Sequence, residues 1–137
     1  MRMIALFFAL ILLPAGMAQA CMGAMLEDSL FFEQMPEPTL DADVVARVTI
    51  KQIVPDHEPN AMVTAAARVD EVVSGSTKVG DIIELRYIVS SCGPNQKEGN
   101  SGLIIAKHTT DIKGRAALTP YTIRPSDGRI DSPVQRW

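Results

Sequence analysis

The alternation of apolar and polar side chains that begins at Val44 constrains this chain more than any other feature of its sequence. Successive side chains of a strand point to opposite faces of a sheet, so a period of two predicts half-buried β-strands. Such runs predict strands over 44–51, 62–73, 82–89, 102–107 and 117–123. The second run slips at Asp70-Glu71, which predicts a β-bulge. The run over 102–107 is apolar on both faces, as a central strand is.

Five short strands in a chain of 137 residues favour a single barrel, because closure removes exposed strand edges. A sandwich would need about seven strands. We therefore expect an all-β fold, a five-stranded antiparallel OB-like Greek-key barrel. The residues expected to point inward are Val44, Ala46, Val48, Ile50, Ile83, Leu85, Leu103 and Ile105.

Two segments lie outside this pattern. Residues 26–35 predict a short helical segment, because Leu26, Leu30 and Phe31 fall on one side before Pro36 ends it. After Arg124 the chain has few apolar residues and two prolines, so we expect weak order over 125–137.

The first twenty residues are typical of a cleaved signal peptide. Arg2 precedes ten apolar residues, Ile4 to Leu13, and small residues flank the expected cut after Ala20. Ten residues are too few for a bilayer span, which needs about 20. We expect a secreted or periplasmic protein that begins at Cys21. A lipoprotein acylated at Cys21 is the alternative, and only that form would be held at a membrane.

Cys21 and Cys92 are the only cysteines in the chain. An even pair in an exported protein predicts a disulfide, and two reduced buried thiols are the less favourable alternative. Closing a loop of this length stabilises a fold by about 4 kcal/mol in the chain-entropy treatment.

Several classes of function are disfavoured by composition. The chain has 13 basic and 16 acidic residues, so it lacks the basic surface of a nucleic-acid-binding protein. It has two histidines, His57 and His108, and we expect both at the surface. Asp41 and Asp43 are expected to be solvated loop charges. No cofactor and no enzymatic activity are predicted.

Five pieces of sequence carry a resemblance to a known family. They are Cys21, then Asp41 to Arg47, Val72 to Gly75, Ser90 to Gly93 and Gly102 to Lys107, in that order. Over residues 21–124 the chain resembles the netrin-like domain of the tissue inhibitors of metalloproteinases. The resemblance implies an OB-fold in which Cys21 pairs with Cys92. The chain departs from those inhibitors in having Met22-Gly23 where they have a second cysteine, and in lacking their further disulfides and C-terminal subdomain.

The resemblance also implies a mode of action, in which a wedge made of Cys21, Met22 and residues 89–92 enters the protease. The freed α-amine and backbone carbonyl of Cys21 would ligate the catalytic zinc of the protease. Met22 would enter its specificity pocket, with Val89, Ser90 and Ser91 alongside. The expected function is inhibition of a zinc metalloprotease. The alternative is a non-inhibitory envelope or extracellular module that binds another protein or a ligand, with a purely structural disulfide.

Overall fold

The computed structural model describes residues 27–55, 62–90, 92–110 and 114–133. These residues form the strands β1 (Val44–Pro55), β2 (Met62–Gly75), β3 (Ile82–Ile88), β4 (Ser101–Thr110), β5 (Ala116–Pro120), β6 (Thr122–Arg124) and β7 (Arg129–Asp131). The described ranges contain no helix, and therefore none of the length and apolarity that crossing a bilayer requires. The predicted signal segment 1–20 and Cys21 lie outside the described residues.

Strands β1 to β5 form a closed barrel in the order β1-β2-β3-β5-β4. The prediction of an all-β fold with a five-stranded barrel is thus confirmed. The prediction that every pair is antiparallel was wrong, because β3 and β5 run parallel where Leu85 lies opposite Leu118. An odd number of strands cannot alternate in direction all the way round a closed barrel, so one pair has to be parallel.

The barrel interior is filled from all five strands. The predicted inward residues of β1, from Val44 to Ile50, are buried there with Leu85 of β3, and Ile83 packs partly against them. The register predicted for β4 was wrong. Ile104 and Ala106 point inward, whereas Leu103 and Ile105 pack on the outer face in a second cluster with Phe32, Val45 and Tyr121. Both faces of β4 are covered by apolar side chains. The sequence of β4 therefore does not indicate which residues point into the barrel.

The predicted β-bulge is present at Asp70. Arg47 lies opposite Glu71 and Val48 opposite Val69, which leaves Asp70 as the extra residue of β2. Its carboxylate accepts hydrogen bonds from the Thr49 hydroxyl at 2.5 Å and from Arg68 Nε at 2.9 Å. These two bonds, the first above all, lower the pKa of Asp70 below its ordinary value. The bulge returns Val72 to the core side of the strand, as the sequence predicted.

The sequence predicts a short helical segment over 26–35, before β1. That prediction was wrong for the described residues 27–35, which contain no helix. Ser29 forms a β-bridge with Ile123, and Phe32 forms one with Leu103 of β4. The backbone of this segment thus bonds to neighbouring strands rather than to its own next turn. Between the bridges, Leu30 is fully buried in the barrel core.

Weak order is predicted over 125–137, and within that range the described residues include β7, which pairs with β6 in a hairpin. Gly128 adopts a φ of +71° in the turn, and its amide donates to the carbonyl of Arg124 at 2.8 Å. A glycine accommodates that left-handed conformation without strain. The predicted fifth strand over 117–123 is correspondingly divided at Tyr121 into β5 and β6. Residues 134–137 lie outside the described part of the chain.

Candidate functional site

The Cys92 turn, defined by the described residues Ser90, Cys92 and Gly93, follows β3 at one end of the barrel. The amides and carbonyls of Ser90 and Gly93 bond reciprocally, both at 3.0 Å. The Ser90 hydroxyl also accepts from the amide of Cys92 at 3.1 Å. Gly93 has a φ of +89°, and a Cβ at this position would lie 3.0 Å from the carbonyl oxygen of Asp28. The turn therefore requires glycine and holds Cys92 in a defined position.

Residues 27–29, at the start of the described chain, are hydrogen-bonded directly to this turn and to the residues that follow it. The amide of Asp28 donates to the carbonyl of Cys92 at 2.8 Å. Two side-chain bonds reinforce the contact, from Asn95 Nδ2 to Glu27 Oε1 at 3.3 Å and from Gln96 Nε2 to Ser29 Oγ at 3.4 Å. The chain that leads back toward Cys21 thus leaves the described region beside Cys92.

Only part of the predicted wedge lies within the described residues. Cys21, Met22 and Ser91 lie outside the described residues. Val89 is half-buried, and its side chain packs against the barrel core. Ser90 is exposed, but its hydroxyl is engaged within the turn. Cys92 is half-buried, and the described part of the chain holds no free cysteine.

The aspartates before β1 organise the junction of β1 with β4. Asp41 forms an ion pair with Lys107, and that hydrogen bond raises the pKa of Lys107. Asp43 accepts from the amide of His108 at 2.7 Å. The hydroxyl of Tyr121 donates to the backbone carbonyl of Asp41 at 2.7 Å. The expectation of simple solvated charges was therefore incomplete, since both carboxylates have partners.

His108 is exposed, as predicted, and His57 lies outside the described residues. Across the described ranges, no three histidine, cysteine or acidic side chains are grouped so that they could hold a metal ion.

An open groove lies between residues 31–37 and the β6–β7 hairpin. It has a volume of about 580 Å³ and is lined on one side by residues 31–37. Ile123, Pro125 and Ile130 contribute to the other side. Glu33 and Glu37 add carboxylates to this otherwise largely apolar lining.

Two residues that the sequence analysis missed connect the hairpin to the Cys92 turn. Arg124 Nε and Asp28 Oδ1 are 3.1 Å apart, and each side chain is only 15% exposed. The signal for the hairpin was the Asp127-Gly128 pair, which favours tight turns, between the isoleucines at 123 and 130. Nothing local in the sequence paired Asp28 with Arg124 across 96 positions.

Comparisons with known proteins add no relative. No family model, no curated protein and no solved structure matches this chain.

Proposed function

We propose that this chain is an exported inhibitor of a zinc metalloprotease, with the OB-like Greek-key barrel and the Cys21–Cys92 disulfide of the netrin-like family that it resembles. The observation that carries the proposal is the bond between the amide of Asp28 and the carbonyl of Cys92 at 2.8 Å. It joins the segment that follows the mature N-terminus to the turn that would form the other part of the wedge.

Two further observations support the proposal. The barrel order β1-β2-β3-β5-β4, with β3 parallel to β5, is compatible with a Greek-key barrel. Cys92 is not a free thiol, and Cys21 is the one other cysteine in the chain. A bridge between them would hold the first residue of the mature protein against the Cys92 turn.

The chemistry follows from a free N-terminus at Cys21. A catalytic zinc keeps one position open for water or substrate. The α-amine of Cys21 has an expected pKa near 8, so a few tenths of the molecules carry a neutral amine at about pH 7.5. That amine would take the open position on the protease's zinc, and the Cys21 carbonyl would add a further ligand, since a catalytic zinc can expand to five-coordinate. Because the disulfide fixes both atoms beforehand, little conformational entropy would be lost on binding.

The burial of the described residues bears on which of the predicted contact residues would touch a protease. Met22 remains the candidate for the specificity pocket, since it follows Cys21 directly. Ser90 is exposed beside Cys92 and can contact a protease, whereas the Val89 side chain packs against the core. We therefore propose Cys21, Met22, Ser90 and Ser91 as the main contact residues, with the partly buried Val89 contributing less of its surface.

A panel of zinc endopeptidases tests the proposal. The native mature protein should inhibit at least one member, and the same protein acetylated at its α-amine should not, because an amide nitrogen cannot ligate the metal. Inhibition should also weaken as the pH falls below about 7, where the amine is protonated. Equal inhibition by native and acetylated protein would contradict the zinc-ligating wedge.

The groove between residues 31–37 and the β6–β7 hairpin favours a second candidate function. Its volume of about 580 Å³ lies in the range of small-molecule sites, and its lining is mixed apolar and acidic. On this candidate the protein is an envelope or extracellular module that binds a protein or ligand, and its disulfide is structural. A panel in which the native protein inhibits no protease would favour it.

A further inference from the structure

Residues 27–29 lie between the Cys92 turn and β6 and are bonded to both. On the first side, the amide of Asp28 donates to the carbonyl of Cys92 at 2.8 Å. On the second side, Ser29 and Ile123 exchange two backbone hydrogen bonds, at 2.7 and 2.9 Å. A displacement of β6 would therefore move Asp28 relative to the Cys92 turn.

The Asp28–Arg124 ion pair strengthens this connection. The two side chains are each 15% exposed and approach to 3.1 Å. The same hairpin holds a second pair, Arg129 with Asp131, at 2.8 Å, but those side chains are 54% and 46% exposed. Water and salt screen an exposed pair, so it contributes little to stability. A largely buried pair is screened much less, and removing one partner leaves an uncompensated charge.

The hairpin turn fixes the backbone position of Arg124. The carbonyl of Arg124 accepts from the amide of Gly128 at 2.8 Å, and Arg124 lies opposite Arg129 in the β6–β7 pair. The Asp127 carboxylate lies 4.0 Å from Arg124 Nη1 and is a second, more exposed acidic neighbour. The guanidinium is thus held at the end of β6, facing Asp28.

We propose that the β6–β7 hairpin positions residues 27–29, the segment that follows the mature N-terminus, on the Cys92 turn, with Arg124 acting through Asp28 as the positioning residue. The consequence for inhibition rests on the proposed function, whereas the positioning itself concerns described residues. The hairpin pre-organises the wedge, and pre-organisation strengthens binding because less ordering remains to be done in the complex.

Amide hydrogen exchange on the full mature protein tests the positioning. In Arg124→Gln the amides of Asp28 and Ser29 should exchange about tenfold faster, the factor that corresponds to about 1.4 kcal/mol. Amides of β1 should keep their wild-type rates. Arg129→Gln, which removes the exposed pair of the same hairpin, is the matched control and should leave all of these rates unchanged. Wild-type exchange at Asp28 and Ser29 in Arg124→Gln would overturn the inference.

A second variant controls for misfolding caused by the unpaired Asp28 carboxylate in Arg124→Gln. The double variant Asp28→Asn with Arg124→Gln removes both charges and leaves no buried charge uncompensated. Residue 28 and Ser29 should still exchange faster than in the wild type, because the connection is absent. Slow exchange there, in a double variant that folds, would also overturn the inference.

The inhibition assay gives a readout that a merely structural role would not move. Against a protease that the native protein inhibits, Arg124→Gln should inhibit about tenfold more weakly, and Arg129→Gln should inhibit as the wild type does. Faster local exchange with an unchanged inhibition constant would overturn the role in inhibition. If the native protein inhibits no protease, the proposed function fails, while the exchange rates still decide whether the hairpin positions the segment.

Discussion

Replacing Gly102 by alanine tests whether Phe31, in the segment before β1, packs against β4. A Cβ on Gly102 would lie 2.6 Å from Cγ, 2.7 Å from Cβ and 2.9 Å from Cδ1 of Phe31. The Cβ of Phe31 moves only with its backbone, so rotating the ring cannot relieve all three contacts. Gly102→Ala should therefore displace the segment that carries Phe31, or distort β4.

The expected change in the free energy of unfolding of Gly102→Ala is the balance of two opposing effects. Overpacking a well-packed site costs about 1–3 kcal/mol. Replacing glycine by alanine reduces the entropy of the unfolded chain, which returns about 0.4–1 kcal/mol. We expect Gly102→Ala to lower the free energy of unfolding by about 1–2 kcal/mol. In urea this corresponds to a lower denaturation midpoint at an unchanged slope.

Two variants serve as controls for this measurement. Ser101→Ala alters the preceding, exposed residue of β4 and should leave the midpoint near that of the wild type. In a Phe31→Ala background the ring contacts are absent, so Gly102→Ala should cost less than it does in the wild type. A Gly102→Ala protein at least as stable as the wild type would refute the packing of Phe31 over β4.

Three further predictions concern the barrel core. Val48→Asp would bury an unpaired charge at a fully buried position and should cost several kcal/mol; a wild-type melting curve would refute the β1 register. Leu30→Ala should lower the free energy of unfolding by about 2–5 kcal/mol in denaturant titrations, and a loss below 1 kcal/mol would place Leu30 outside the core. Burial raises the pKa of Tyr87 above its ordinary value of 10.0, so stability should fall as the pH rises from about 10, where the unfolded state ionises first. Tyr87→Phe should reduce that fall, and an identical pH dependence in Tyr87→Phe would contradict the assignment.

The sequence predicted the barrel strands well where one face is polar. In β1, Arg47 and Thr49 mark the outer face, so the inward set from Val44 to Ile50 followed directly. The bulge at Asp70 was predictable for the same reason, since two successive polar residues break the alternation. In β4 the alternation is missing, and the sequence could not tell Ile104 from its neighbours Leu103 and Ile105.

The candidate site was predicted less completely because its contacts are long-range. The apolar spacing around Leu30 suits a helical turn, but strands β4 and β6 supply hydrogen-bond partners that the local sequence does not reveal. Tertiary contacts of this kind routinely override local propensity. The ion pair of Asp28 with Arg124 depends on the same packing, so it became visible only with the fold.

The inhibition constant of the mature protein, compared with that of the same protein extended by one alanine before Cys21, tests the central claim most directly. The extension displaces the α-amine from the metal while leaving the proposed disulfide and the barrel in place. Intact mass should first establish that the native form begins at Cys21, that its thiols are oxidised and that it carries no lipid. The account predicts that the native form inhibits a zinc endopeptidase and that the extended form does not. Equal inhibition by the two forms would contradict the account.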